Sequence, residues 1–500
     1  MFRGKLEANE HAKERLNMQN RKRSILIAAI VAVISTIVVL GTVSAFVYIK
    51  RTGELPITVH KSNTTPTPAA TAIQASRSPA PLPDGDDWTQ YRFDVKGTGM
   101  NPEGRISKKN VSQLTQQWSV MPNRAFGSTP AVVNGQVYVT NGNAIFDIDL
   151  QSGETVWRFD DKPQPNGAIT SSVAVDPATH IAYYGTPDAR VYAVNTLTGE
   201  EVWDLQIGND KDGAFIWSSP LLVNGKVYIG LASHDDNPCV RGGVFAFNAA
   251  TGNVLWKHYM TRAGTLGGGV WSSLIAVPSA HEVIATTGNP CPHGVSDDEE
   301  DSFVAMNWDT GATLWQYTAV HFDDCDCDFG QGAVDFVYHG QEYVVAGNKN
   351  GTIYALAPSK GGHSARLVWS LKIAKSGFLN YGGIFQPPTY SNGTIFVAGG
   401  PTTDGVCKHG MLYALQADTG AIRWSTCTPV QVVSPMSTTG DVLFVETGST
   451  LLAYSSATGD ELWRVQQSGD FWGGVSISRG SVLVAGVSGT LYCYGLTGAS

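Results

Sequence analysis

Residues 251–256 read Thr-Gly-Asn-Val-Leu-Trp, a turn followed by a strand that ends in Trp, and repetition of this unit decides the fold. Seven copies end at Trp157, Trp203, Trp256, Trp315, Trp369, Trp424 and Trp463. Three short apolar strands precede each of them, and repeats of about 40–60 residues with four strands each are typical of a β-propeller. The Gly suits the left-handed conformation of a hairpin turn, and the Trp can pack between neighbouring blades.

The eighth copy is split between the two ends of the repeat region. Thr497 and Gly498 stand near the C-terminus with no Trp after them, and a matching strand, Leu-Thr-Gln-Gln-Trp, ends at Trp118. An N-terminal strand that completes the last blade closes the ring and leaves no open sheet edge. The sequence therefore predicts an all-β, eight-bladed β-propeller.

Composition agrees with a turn-rich β protein and excludes one class of partner. Of 500 residues, 42% are hydrophobic and 15% are charged, with 55 Gly and 13 Trp. The formal net charge is −9. Because nucleic-acid-binding proteins carry a basic surface, we expect no nucleic-acid partner.

The N-terminal region predicts a membrane anchor. Residues 25–49 are uncharged and long enough to span a bilayer as a helix, and basic residues precede them. This bias places the N-terminus in the cytoplasm and the propeller outside. A cleaved signal peptide with a site at residues 43–45 is the alternative. The predicted domains are a basic tail (1–24), a transmembrane helix (25–49), a Pro/Thr/Ser-rich linker (50–85) and the propeller (86–500).

The cysteines fit an oxidising compartment. All seven lie at or beyond residue 239, in the region predicted to be extracytoplasmic, where disulfides can form. Cys407 with Cys427 is the favoured pair, because both fall on one side of the same blade, and Cys493 lies in an apolar strand as a buried free thiol. His321, Cys325 and Cys327 are close in sequence and leave zinc or copper binding as an alternative.

Four consecutive blades, the third to the sixth, carry long insertions that open on one face of the propeller. The insertions are rich in acids, including Asp235, Asp236 and the run 297–301, with Asn289 between them. Carboxylate and amide oxygens suit Ca²⁺. A cation pair, Arg241 and Lys349, and axial Trp residues accompany the acids. Such a face predicts a pocket for a flat, polyanionic molecule beside a metal ion.

Longer motifs resemble those of the pyrroloquinoline quinone (PQQ) dehydrogenases, most closely the polyvinyl-alcohol dehydrogenases. The resemblance covers residues 87–500 and rests on the opening DWTQYRFDVKGTGMNPEGRISKKNVSQLTQQW and on CVRGGVFAFNAATG, GVWSSLIAVPSAHEVIATTGNP and GNKNGTIYAL. Two features depart from it. Ser171 and Ser172 stand where methanol-dehydrogenase relatives have two adjacent cysteines, and no CxxCH motif is present to attach haem.

The resemblance implies a role for each matching residue. Trp271 would form the floor on which the quinone stacks, Arg241 would neutralise its carboxylates, and Lys349 would hydrogen-bond its reactive carbonyl region. Asn289, with Asp236 or Asp235 in place of the family's Glu, would bind Ca²⁺. Asp301 would be a further metal ligand and the general base that takes the alcohol proton.

The expected function is therefore that of a membrane-anchored, extracytoplasmic dehydrogenase that oxidises a small or polymeric alcohol, secondary or polyol, with PQQ and Ca²⁺. Without haem, its electrons would pass to an external acceptor. The alternative is a propeller without a cofactor, a scaffold for protein binding or assembly at the cell surface.

Overall fold

The computed structural model describes residues 86–121, 127–162, 169–235, 237–291, 299–321, 323, 326–359, 364–377, 382–486 and 488–496. Within these ranges no helix is long and apolar enough to cross a membrane. The predicted anchor at residues 25–49 and the predicted linker lie outside the described residues, so both stay predictions.

Eight antiparallel four-stranded sheets follow one another along the chain, as the Trp repeats predict. From the inner to the outer strand, blades 1 to 4 are Ala131–Val133, Gln136–Asn141, Ala144–Asp149 and Thr155–Asp160; Ala174–Asp176, Ile181–Gly185, Arg190–Asn195 and Glu201–Gln206; Leu221–Val223, Lys226–Ser233, Gly243–Asn248 and Val254–Tyr259; and Ile275–Val277, Glu282–Thr286, Ser302–Asn307 and Thr313–Thr318. Blades 5 to 8 are Val334–Tyr338, Gln341–Gly347, Thr352–Pro358 and Ala365–Lys372; Thr389–Ser391, Thr394–Gly399, Gly410–Gln416 and Ile422–Thr428; Ser437–Thr438, Val442–Thr447, Thr450–Ser455 and Glu461–Gln466; and Phe471–Ser478, Ser481–Gly486, Leu491–Leu496 and Leu114–Val120.

The ring closes through blade 8, where the N-terminal strand Leu114–Val120 pairs antiparallel with the C-terminal strand Leu491–Leu496. Leu114 lies opposite Leu496, and Val120 lies opposite Leu491. The split eighth repeat is thus confirmed. The closure removes the open edge that either terminal strand would otherwise present.

Short strands and 3₁₀ turns lie outside these four-stranded sheets. Ala214–Phe215 pairs with the second strand of blade 3, and Leu266–Gly267 pairs with Pro290–Cys291. Three 3₁₀ turns lie at Val111–Gln113, Asp210–Asp212 and Pro278–Ala280.

The repeated Trp and Gly residues hold adjacent blades together. In blade 3 the turn residue Gly252 has φ +71°, and a Cβ built on it would lie 2.7 Å from the indole of Trp203 in blade 2. The same indole donates from Nε1 to the carbonyl oxygen of Ala249 at 3.0 Å. The turn therefore needs Gly252 for two reasons. Only Gly adopts this backbone conformation without strain, and only Gly lets the indole approach so closely. The same approach recurs at Gly153, Gly199, Gly311, Gly420 and Gly459.

The hydrophobic core lies between blades and forms a series of clusters around the ring. One cluster joins Tyr228 and Val244 of blade 3 to Ala276, Val283 and Val304 of blade 4, all fully buried. The inner three strands of each blade are largely buried on both faces, so successive side chains point into the core. This explains why these strands are near-continuous apolar runs.

An N-terminal belt, residues 86–101, runs around the inside of the ring and contacts the innermost strand of every blade. Seven contacts fall on the equivalent backbone amide of blades 1 to 7, namely Val132, Val175, Leu222, Ala276, Asp335, Tyr390 and Thr438. In blade 8, Asn101 donates from Nδ2 to the carbonyl oxygen of Ile477 at 2.8 Å. Asn101 Nδ2 also donates to the carbonyl oxygen of Asp86 at 3.0 Å, so the two ends of the belt meet.

The cysteine predictions are confirmed where the structure describes them. Cys407 and Cys427 form a disulfide, and Cys493 is a buried free thiol. A second disulfide joins Cys239 to Cys291. Cys327 is also disulfide-bonded, which removes it as a thiolate ligand for zinc or copper, and Cys325 lies outside the described residues.

Candidate functional site

A cavity of about 420 Å³ lies on the axis of the propeller and takes its wall from all eight blades. One residue at or just before the start of each innermost strand occupies an equivalent position, and we call this set the collar. The collar consists of Gly127, Thr170, Trp217, Trp271, Gly330, Phe385, Val433 and Trp472. Seven of the eight, all except Gly330, line the cavity.

Serine hydroxyls join the wall of the cavity across blades 1 to 4. The amide of Thr129 donates to Ser172 Oγ, the amide of Ser172 to Ser219 Oγ, and the amide of Ser219 to Ser273 Oγ, each at 2.9 Å. Ser172, Ser219 and Ser273 also line the cavity. A continuous chain of such bonds fixes the relative positions of the collar residues.

Trp271 sits at the charged side of the cavity, on blades 4 and 5. Its Nε1 donates to Asp328 Oδ2 at 3.0 Å, and Lys349 Nζ lies 4.9 Å from the centroid of its ring. Lys349 Nζ contacts Asp328 Oδ1 at 2.6 Å and Asp326 Oδ1 at 2.7 Å. Burial lowers the pKa of Lys349, but the two carboxylates outweigh that effect, so its pKa is raised and it stays charged. The indole is therefore held in orientation by a buried ion-pair network.

Asp301 lies behind this wall. It does not line the cavity, but its amide donates at 3.2 Å to the carbonyl oxygen of Gly288, which does. Its φ is +49°, a conformation that non-glycine residues adopt at a cost. Burial, and then the charges of Asp328 and Asp323, raise the pKa of Asp301 to about 9. Its Oδ1 has no hydrogen-bond partner among the described residues.

This environment fits a cation. Burial and the neighbouring carboxylates raise the pKa of Asp301 more than the charge of Lys349 lowers it, and a cation bound beside the carboxyl would lower it further. Asn289 lines the cavity one residue after Gly288. Asp236, the third ligand implied by the resemblance, lies outside the described residues, and Asp235 lines the cavity. Within the described residues no three His, Cys, Asp or Glu side chains form a complete metal site.

Arg241 does not reach the cavity. Its Nε donates to the carbonyl oxygen of Thr261 at 2.8 Å, Nη2 bonds the same oxygen, and the guanidinium lies 4.4 Å from the centroid of Tyr259. The backbone of Arg241 pairs with Gly267, which turns the side chain towards the outer strand of blade 3. Among the described lining residues, Lys349 is the one Lys or Arg.

Blade 3 contributes an aromatic wall. The centroids of Phe215 and Trp217 are 4.2 Å apart, and His234 stacks on Trp217 at 5.8 Å. His234 Nδ1 bonds Asp235 Oδ2 at 2.7 Å. His234 directly follows the second strand of blade 3, and its aromatic environment depends on the neighbouring strand Ala214–Phe215, which no local sequence pattern predicts.

The Cys239–Cys291 disulfide also lines the cavity. Cys291 lies opposite Leu266 in a two-stranded pair, and Val240 accepts a hydrogen bond from the Gly267 amide at 3.0 Å. The Cys239–Cys291 disulfide therefore joins the two inserted segments that carry Asp235 and Asn289. These segments lie on either side of the strand Leu266–Gly267.

Several wall residues were missed from sequence, among them Tyr91, Gln331, Phe385 and Trp472. A signal for two of them was present. Alignment of the blades on their innermost strands places Phe385 and Trp472 at the position of Trp271, although the identity of the residue changes between blades. No comparable signal marks Tyr91, which belongs to the belt.

Two protein-family models match parts of the chain. The family model described as glucose/ethanol/alcohol dehydrogenase, β-propeller domain, matches residues 88–363. A second model, described as the outer membrane protein assembly factor BamB, matches residues 349–494.

Individual relatives carry dehydrogenase names. The chain is 24% identical over 467 residues to the quinoprotein alcohol dehydrogenase PedH of Pseudomonas putida, covering 78% of this chain and 77% of the relative. It is 24% identical over 402 residues to a polyvinylalcohol dehydrogenase of Pseudomonas sp, covering 70% and 61%. It is 27% identical over 338 residues to the dehydrogenase subunit of the Gluconobacter oxydans quinone-type alcohol dehydrogenase, covering 55% and 44%.

Solved structures confirm the fold. The quinohemoprotein alcohol dehydrogenase ADHIIG of Pseudomonas putida superposes with a TM-score of 0.70 at 20% identity, covering 83% of this chain and 81% of that chain. BamB of Moraxella catarrhalis superposes with a TM-score of 0.56 at 15% identity, covering 76% and 99%. Because the dehydrogenase model matches more than half of the chain, this protein belongs to the PQQ-type glucose/ethanol/alcohol dehydrogenase β-propeller family.

Proposed function

We propose that this protein is a quinoprotein dehydrogenase that oxidises an alcohol with PQQ and Ca²⁺ in the axial cavity. The observation that carries the proposal is the buried cluster of Trp271, Asp328, Lys349 and Asp301 beside that cavity. A volume of about 420 Å³ is within the range of small-molecule and cofactor pockets. Alcohol dehydrogenase names among the relatives support the same reaction class.

Trp271 would provide the flat apolar surface for the quinone, and Lys349 would supply the adjacent positive charge. PQQ, when bound, accepts the hydride equivalent that leaves the alcohol carbon. Enclosure by collar side chains excludes water, which strengthens the electrostatic interactions inside the cavity.

Asp301 lies directly behind Gly288 of the cavity wall, and we assign it as the group that would accept the hydroxyl proton of the alcohol. A group with a pKa of about 9 is protonated at neutral pH and cannot act as a base. A divalent cation held by Asn289 and Asp301 would lower that pKa, so the cation and the base function belong together. This explains why a carboxyl that is costly to bury is placed among other carboxylates.

The proposal also includes a substrate class and a cellular location. A secondary alcohol or polyol is the substrate class we favour, because polyvinylalcohol dehydrogenases are among the relatives. An external acceptor would take the electrons. The disulfides support an oxidising compartment, and the apolar run 25–49 would anchor the propeller outside the membrane.

The test is reconstitution of the full-length protein, in detergent, with PQQ and CaCl₂. We expect stoichiometric PQQ binding and alcohol-dependent reduction of an artificial electron acceptor. Asp301→Asn should abolish turnover, while Asp161→Asn, another buried carboxyl of raised pKa whose partner is the hydroxyl of Tyr184 in blade 2, should keep it. Equal activity of Asp301→Asn and wild type would refute the assigned base.

A non-catalytic scaffold is the second candidate, favoured by the assembly-factor model that matches residues 349–494. A folded wild-type protein that binds no PQQ with Ca²⁺ present would favour it.

A further inference from the structure

The belt does more than tie the blades together, because one of its side chains crosses the channel. Gln90 accepts from the amide of Leu222 in blade 3, whereas Arg92 donates to the carbonyl oxygen of Pro388 in blade 6 at 3.0 Å and bonds that of Met436 in blade 7. Positive φ angles at Arg92 and Phe93 form the tight turn that directs this side chain inward. Arg92 is 3% exposed, so the channel is filled at this level.

The level of the belt relative to the collar is constant. In every blade the residue that meets the belt follows the collar residue by five positions, as Ala276 follows Trp271 and Asp335 follows Gly330. The belt therefore lies beneath the collar all the way round. The cavity ends at the belt, and its closed end is made from belt residues as well as blade residues.

Tyr91 is the belt residue that lines the cavity, and it holds Gln331. Its hydroxyl donates to Gln331 Oε1 at 2.9 Å. Burial raises the pKa of Tyr91 far above its usual range, so the hydroxyl keeps its proton at any physiological pH. Because Oε1 accepts this bond, the amide nitrogen of Gln331 is the atom left to face the cavity.

Gly330, the residue before Gln331, lies next to the indole of Trp271. A Cβ built on Gly330 would be 3.2 Å from Cη2 of Trp271 and 3.2 Å from Cδ1 of Phe385, so this segment runs along the edge of the ring. The hydroxyl of Thr286 donates to the carbonyl oxygen of Gln331 at 2.9 Å and fixes the backbone. Both the side chain and the main chain of Gln331 are thus positioned.

We propose that Gln331 is a ligand-binding residue whose amide Nε2 donates to a carboxylate or carbonyl oxygen of the molecule held against Trp271, and that Tyr91 positions it. This inference rests on the proposed function. It places a neutral hydrogen-bond donor at the closed end of the cavity. Among the described residues that line this cavity, Lys349 is the one Lys or Arg. The belt thereby becomes part of the binding site.

The experiment measures the dissociation constant of PQQ on the full-length protein with saturating CaCl₂, by tryptophan fluorescence quenching. Gln331→Leu should weaken binding about tenfold, the loss of one hydrogen bond to a charged group. Gln331→Glu should weaken binding further, because it places a carboxylate against the ligand oxygen. Tyr91→Phe should weaken binding by about threefold, since the amide is then free to rotate.

Tyr183→Phe is the matched control, because its hydroxyl bonds the carbonyl oxygen of Ala249 outside the cavity wall, and it should bind PQQ as wild type does. Circular dichroism and melting curves establish that each variant folds. Wild-type affinity in folded Gln331→Leu overturns this inference alone. A folded wild-type protein that binds no PQQ overturns both this inference and the proposed function.

Discussion

Lys349 places its ammonium nitrogen 4.9 Å from the centre of the Trp271 indole while it bridges Asp326 and Asp328. Asp328 in turn accepts the indole N–H of Trp271. The aromatic platform, the cation and the carboxylate therefore form a closed triangle of contacts. A change at any one of them alters the other two.

Removal of the cation should be costly. Lys349→Met removes the ammonium group that pairs with Asp326 and Asp328, in a site where the Lys349 side chain is 5% exposed. Loss of one member of a buried pair typically costs about 3–5 kcal/mol. We expect a drop of that size in the free energy of unfolding, measured by urea denaturation. Lys226→Met, whose partner Asp309 is exposed, should cost less than about 1 kcal/mol.

The Gly–Trp contact between blades can be separated from backbone strain. Gly252→Ala forces a Cβ to within 2.7 Å of the Trp203 indole at φ +71°, whereas Gly225→Ala meets nothing within 4 Å at φ +66°. Both should lose about 1 kcal/mol from backbone strain. We expect Gly252→Ala to lose a further 1–3 kcal/mol, roughly the cost of overpacking. Equal melting temperatures for the two variants would show that the close contact with the indole does not add to the loss of stability.

The disulfides Cys239–Cys291 and Cys407–Cys427 should differ in their effect on the site. Closing loops of 52 and 20 residues predicts stabilisation of about 4 and about 3 kcal/mol on chain entropy. Cys239→Ser/Cys291→Ser and Cys407→Ser/Cys427→Ser should therefore both destabilise the fold. Only the first pair should weaken PQQ binding, measured by fluorescence, because only that disulfide lines the cavity. Equal loss of affinity in both variants would contradict this.

Glu446 should make stability fall with rising pH. Burial raises its pKa to about 8, against about 4.3 in an unfolded chain. The folded state therefore holds the proton more tightly than the unfolded state between these values. In that window the free energy of unfolding falls as pH rises, by up to about 1.4 kcal/mol per unit. Above pH 8 this contribution levels off.

The check is Glu446→Gln, which keeps the shape and cannot ionise. Its amide group can still accept from the Gly474 amide, now 3.2 Å from Glu446 Oε2. Urea denaturation at pH 5 and pH 8 should show similar stability at pH 5 and a more stable variant at pH 8. Parallel pH profiles for the two proteins would exclude Glu446 as the source.

The blade repeat predicts which residues reach the cavity wall where they stand beside a strand of the repeat. Trp271, Asn289 and Lys349 all line the cavity, because each stands next to a strand whose position the repeat defines. Arg241 lies elsewhere: its motif resembles that of the family, but its side chain bonds the carbonyl oxygen of Thr261. A motif fixes the backbone position of a residue, and the neighbouring strand decides where its side chain points.

The sequence by itself determined the propeller, its eight blades and the closure of the ring, because a Gly–Trp pair recurs in the turn and outer strand and such periodic contacts are local to adjacent repeats. Only the tertiary structure decided how the channel is closed. The belt contacts of Trp88 with Val132 and of Met100 with Thr438 join residues far apart in the chain. No local pattern encodes such long-range contacts, and the same holds for the bond between Tyr91 and Gln331 at the closed end of the cavity.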